Sequence, residues 1–162
     1  MEEVKEFTES IELPARSTQN VVFTYTDSAR TKNVLEAAKV EQFVYEDSTF
    51  SKISEGFTLT FFDAKGHVDG VLSAPNALIF NRNSRMIARD SVVFKNADDE
   101  TLKTEELIWI QDSAIVYTDK FVTIERSSGV IYGKGLRSNE NFTNYQIQQT
   151  AGEFYLEDGE QE

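Results

Sequence analysis

TLKTEELIWIQDSAIVYTDKFVTIERSSGVIYGKGL, residues Thr101–Leu136, is one copy of a unit that the chain repeats. Leu72, Ala74, Ala77 and Ile79 return as Leu102, Thr104, Leu107 and Trp109, an offset of 30 residues. Leu102, Thr104 and Leu107 return as Ile131, Gly133 and Leu136, and Ala88, Asp90 and Val93 as Tyr117, Asp119 and Val122, both at 29 residues. A period near 30 in a β-type pattern predicts stacked hairpins, each burying the next.

The same syntax extends toward the N-terminus. EGFTLTFFDAKGHVDGVLSA reads as a hairpin in which Phe57, Leu59 and Phe61 share a face, Asp63–Gly66 turns, and Val68–Leu72 returns. Glycine near the end of such a turn takes a positive φ at little cost. The polar clusters NRNS, NADDE, IQDS, RSSG and SNEN follow at similar intervals, with only two prolines in the chain. Short strands at regular spacing predict an all-β sandwich, jelly roll or barrel. Val21, Phe23 and Tyr25 alternate with Val22, Thr24 and Thr26 and predict a first strand ending at Asp27–Ser28. Residues 32–46 are ambiguous. Strand propensity decides Phe43–Tyr45, whereas Val34, Leu35 and Ala38 also fit a helical face, so Leu35–Val40 retains a helical alternative.

At 162 residues, with 40% hydrophobic and 12% aromatic content, the chain fits one domain, which at this size buries roughly 70% of its unfolded surface. Residues 1–18 read as a linker, 19–152 as the β body and 153–162 as an acidic tail. The net charge of −12 is concentrated at the ends, where Glu2, Glu3, Glu6, Glu9 and Glu12 face only Lys5, and where Glu153, Glu157, Asp158, Glu160 and Glu162 cluster. No basic surface is available for a phosphate backbone, which argues against nucleic acid. Cysteine is absent, so there is no disulfide framework or thiolate site. No apolar run is long enough to span a bilayer, and no signal-peptide pattern appears.

Motifs for chemistry are weak. His67 is a lone turn histidine, read as structural. Asp98, Asp99 and Glu100 lack the glycine and ligand spacing of a calcium loop and read as a solvated turn. Asp63 with Asp69, or Glu105 with Glu106, match a glycosidase pair only in residue type. No nucleophile elbow, phosphate loop or zinc pattern occurs, so neither an enzyme nor a cofactor or metal is expected. Asn141-Phe142-Thr143 matches a glycosylation sequon.

Strand alternation places Phe57, Leu59 and Phe61 inside, with Val92 and Phe94, Leu107 and Trp109, and Val122 and Ile124 as partners on other rungs. The opposite faces, Thr58, Thr60 and Phe62 or Glu106, Ile108 and Ile110, are not cleanly polar. If two sheets splay apart, their inner face becomes an apolar groove, a potential lipid site.

The order YTDSARTKNVLEAAKV, SEGFTLTFFDAKGHVDGVLSAPNALIF, MIARDSVVFKNADDETLKTEELIWIQD and YTDKFVTIERSSGVIYGKGLRSNENFTNYQI resembles the LptC family, in particular its Bacteroidetes-like members. The FFDAKG hairpin, Leu72-Ser73-Ala74, DSVVFKN, TLKTEELIW and YGKGLRSN carry the resemblance, which spans about Asn20 to Ile147. It implies a twisted open β-jelly roll of two antiparallel sheets built from repeated short hairpins, as in LptA and the OstA-like domains. It further implies a periplasmic, inner-membrane-anchored carrier that takes lipopolysaccharide from an inner-membrane ABC transporter to an LptA-like bridge protein. The anchor of that family has no match here and is expected upstream.

On that reading, lipid A acyl chains would meet Leu59, Phe61, Val92, Phe94, Leu107, Trp109, Val122 and Ile124 as groove or core. The strand around Val21, Phe23 and Tyr25 would be the transporter edge, and that around Phe142, Tyr145 and Ile147 the bridge edge. An acidic body repels lipid phosphates, which favours acyl burial over a phosphate clamp. Two other classes compete: a structural or adhesive β-repeat domain assembling through its edges without lipid, and a carbohydrate-binding or hydrolytic sandwich supported only by acidic turns.

Overall fold

The computed structural model describes residues 14–45, 48–80 and 84–154. It contains ten strands: β1 (Arg16–Asp27), β2 (Arg30–Tyr45), β3 (Ser48–Phe62), β4 (Val68–Ala74), β5 (Asn76–Phe80), β6 (Arg85–Asn96), β7 (Thr101–Ile110), β8 (Ile115–Arg126), β9 (Gly129–Asn139) and β10 (Tyr145–Phe154). Every pairing is antiparallel, and the sheet follows chain order from β1 to β10. β4 and β5 form one row interrupted at Pro75. Ala74 lies opposite Phe57 and Ala77 opposite Ile53, while the Gly56 N–H donates to the Pro75 carbonyl at 2.9 Å.

The fold is an all-β jelly roll, but its two expected sheets are hydrogen-bonded as one, and all its strands except β4 and β5 are long rather than short. A crease crosses the sheet from β1 to β9. It passes Asn20, Glu55–Gly56, Pro75, Asp90–Ser91 and Gly135, and on β7 and β8 it coincides with register shifts after Thr104 and Thr118. Asn20, Glu55, Asp90 and Ser91 hold φ between 55° and 71° there, and Gly56 holds 103°. Bulges bend a strand and sharpen its twist, so a row of them folds the sheet into two layers, with β4 in one and β5 in the other.

The fold-over is visible in the core. Phe61 on β3 and Trp109 on β7 lie on opposite sides of the crease and three rows apart, about 14 Å in a flat sheet. Their rings nevertheless meet edge to face at 5.4 Å. One inward ladder runs through directly opposed Leu35, Leu59, Leu72, Phe94, Leu102, Ile124 and Ile131, all buried. Leu72, Leu102 and Ile131, equivalent in the sequence repeat, occupy one rung position.

Leu35–Val40 is extended, with Leu35 opposite Leu59 and Val40 opposite Ile53, so the helical alternative is overruled by ladder hydrogen bonds and core contacts. β1 begins at Arg16, paired with Gln42, within the stretch read as a linker, and β10 continues to Phe154, past the expected boundary at 152. The rest of that linker and tail, residues 1–13 and 155–162, lies outside the described residues.

Turn chemistry matches residue type. Asp63 Oδ1 accepts from the backbone N–H groups of Lys65 and His67, both at 2.9 Å, with Gly66 at φ 88°. The backbone N–H of His67 is the main cause holding the Asp63 carboxyl below its usual range.

Candidate functional site

The two layers do not close equally along their length. Toward β9 and β10 the space is plugged by the 140–144 turn. Phe142 is fully buried there, stacked on Phe94 at 5.5 Å and on Tyr145 at 4.6 Å. Asn96 fixes the plug from the opposite layer. Its Nδ2 donates to the Phe142 carbonyl at 2.6 Å and to Glu100 Oε1 at 2.9 Å, while its Oδ1 accepts from the N–H groups of Asp98 and Glu100. Asn141 Nδ2 donates to an Asp69 carboxylate oxygen, which ties up the sequon asparagine. Tyr145 donates to Glu100 Oε2 at 3.4 Å, and burial first, then the Glu100 charge, pushes its pKa up.

Toward β1–β3 the layers splay and leave a groove of about 360 Å³. One wall comes from β1, β2 and β3, with Phe23, Tyr25, Leu35 and Leu59; the other from β3 and β5–β7, with Ile53, Ile79, Phe80, Met86 and Trp109. Phe23 is 67% exposed because it faces into this opening instead of a neighbouring wall. Arg85, whose guanidinium lies 5.4 Å from the Phe80 ring centre, is the only charged residue among the described residues that line the groove. Trp109 is oriented from behind, its Nε1–H donating to Glu140 Oε1 at 3.1 Å.

All eight residues expected on the inner face are buried. Leu59 and Trp109 line the groove, whereas Phe61, Val92, Phe94, Leu107, Val122 and Ile124 pack the closed core. Of the expected edge residues, Val21, Phe23 and Tyr25 lie on end strand β1, and Tyr145 and Ile147 on end strand β10, both half-buried against the core. Phe142 is a correction. It precedes β10 and points inward, because an aromatic side chain fills the space its turn covers. Sequence reasoning missed Ile79, Phe80, Arg85 and Met86. The available signal was NRNSR, Asn81–Arg85, which puts two arginines beside Phe80 in a strongly acidic chain.

The lipopolysaccharide-assembly, LptC-related family model matches residues 5–151. The chain belongs to that family. Comparison with curated proteins gave no match. Membership in the LptC-related family places the chain in lipopolysaccharide export, among periplasmic transport components and not in a known enzyme family. No helix among the described residues is long and apolar enough to cross a membrane.

Proposed function

We propose that this LptC-related chain is a non-enzymatic carrier that holds a lipopolysaccharide acyl chain in the groove between its two layers and passes it on through edge-to-edge strand pairing. The observation that supports this most is the groove. It is the place where the inner apolar face stays open, and Phe23 is exposed there as a large aromatic residue facing a lipid-sized space. At about 30 Å³ per water-sized group, the groove accommodates roughly a dozen methylenes. Burying each contributes about 0.8 kcal/mol before ordering costs are subtracted.

The end strands supply the connections. Among the described residues, β1 and β10 each have a sheet partner on one side only, so each offers a row of backbone donors and acceptors that another strand can complete. On this reading β1 meets the inner-membrane ABC transporter, β10 meets an LptA-like bridge, and an N-terminal anchor holds the protein at the inner membrane.

A photo-crosslinking residue at position 23, with position 22 as control, tests the groove. Both native side chains are 67% exposed and alternate along β1, so they face opposite ways. Lipopolysaccharide adducts at 23 and not at 22 are expected; equal labelling, or none at 23, would exclude the groove as the carrier site. Crosslinks of transporter and bridge to one and the same edge would exclude the assignment of edges.

A further inference from the structure

Arg85 is out of keeping with its surroundings. Among the described residues lining the groove it alone is charged, and it sits in a chain whose net charge is −12. Surface arginines in such a chain readily find carboxylates, as Arg89 does with Glu106 at 3.9 Å. Arg85 has no ion pair or side-chain hydrogen bond among the described residues, and its Nε is shut off from water without an acceptor. With no carboxylate beside it, the guanidinium charge is left uncompensated, and an anion brought to its other nitrogens supplies the missing counter-charge. The Phe80 ring lies within cation–π distance of the guanidinium, a contact that favours keeping the group at the groove.

Position adds direction. Arg85 opens β6, next to Ser84 and across the groove from Tyr25, while Leu59, Ile53 and Met86 also line the groove and supply its apolar walls. A molecule that satisfies both parts has an apolar chain beginning close to an anionic group.

We propose that Arg85 is the headgroup anchor of the groove. Its guanidinium takes the phosphate of a lipid whose acyl chain lies along the Leu59 wall, so phosphorylated lipids are selected over neutral ones. This rests on the groove being the lipid site, and it adds a charge-specific element to what apolar burial alone provides. Arginine suits the task because its planar fork donates to two phosphate oxygens at once.

Trp109, the only tryptophan in the chain, lies on the groove wall and reports occupancy through its fluorescence. Dodecyl phosphate and dodecyl maltoside, each below its micelle threshold, are titrated into the folded protein. The phosphate is expected to bind roughly tenfold more tightly, the size of one charge-assisted hydrogen bond. R85Q is expected to bring that ratio to about one, and R85K, which keeps the charge and loses the fork, to an intermediate value. Thermal unfolding of each variant checks that the fold persists.

A wild-type ratio near one, or a ratio unchanged in both variants, overturns the anchor and leaves the lipid groove standing. Competition by inorganic phosphate at millimolar concentration also overturns it, by showing a site for the free ion. No Trp109 response to either amphiphile overturns both the anchor and the groove.

Discussion

Asn96 joins the layers with a single side chain. It holds its own turn through Oδ1 and the opposing plug through Nδ2, so its loss strands donors and acceptors on both sides. Asn96→Ala is expected to cost about 2 kcal/mol in urea unfolding. Phe142→Ala, which empties a fully buried aromatic site, is expected to cost about 3–5 kcal/mol. Asp63 gives a pH signature. Its carboxyl is held below the ordinary value of 3.8, so its contribution is complete above that value and is lost as pH falls through the folded pKa. Asp63→Asn should therefore flatten the acid limb of a plot of thermal midpoint against pH; an unchanged limb would remove Asp63 from the account. At this scale alternation revealed the buried residues, because each inward position obeys a period of two. It could not separate Leu59 and Trp109 from Phe61 and Phe94. Which inward residues meet open space depends on how far the layers separate at each row, and Phe142, distant in sequence, sets that separation.

Among the elements, the crease and the β9–β10 pair respond differently to an added methyl group. Gly56 has open space where a Cβ would go, but its φ of 103° penalises any other residue. Gly56→Ala should cost about 1–2 kcal/mol from backbone strain alone. At Gly133 a Cβ would lie 2.5 Å from Ile147 Cγ2 and 2.9 Å from the Gln149 carbonyl. Gly133→Ala should push β10 outward, cost about 1–3 kcal/mol, and lower hydrogen-exchange protection along Tyr145–Phe154. Protection lost evenly across the sheet would contradict that local effect. The repeat was legible because Leu72, Leu102 and Ile131 fill one ladder of an antiparallel sheet, where equal spacing gives equal environment. The crease was not legible, because Asn20, Glu55, Asp90 and Ser91 resemble ordinary polar strand residues and take positive φ only under the demands of neighbouring rows.

For the molecule as a whole, the groove's volume limits what it can hold in this state. About 360 Å³ suits one acyl chain, so a lipid with several chains requires the layers to spread. The chain has no cysteine, so spin labels at Phe23→Cys and Ser84→Cys are unique and straddle the opening. Their separation is expected to increase on loading lipopolysaccharide and to stay constant with dodecyl phosphate. A constant separation with both would mean that only one chain enters. Fold and family were legible because order and spacing of motifs extend over nearly the whole chain. An apolar groove was expected from the inner faces, but most of the residues that line it were not legible, since they are brought together from both sides of a fold in one sheet.

The strand order, nearly identical to chain order, has a kinetic meaning. Each strand meets its partner as soon as both exist, so the sheet can form by successive additions without waiting for a distant segment. β10 is the last strand among the described residues, and it leaves the growing edge chemically unchanged. A partner strand arriving there would repeat in trans the step by which β10 itself was added to β9. Folding and assembly would then be the same reaction, carried out first by one chain and continued by the next.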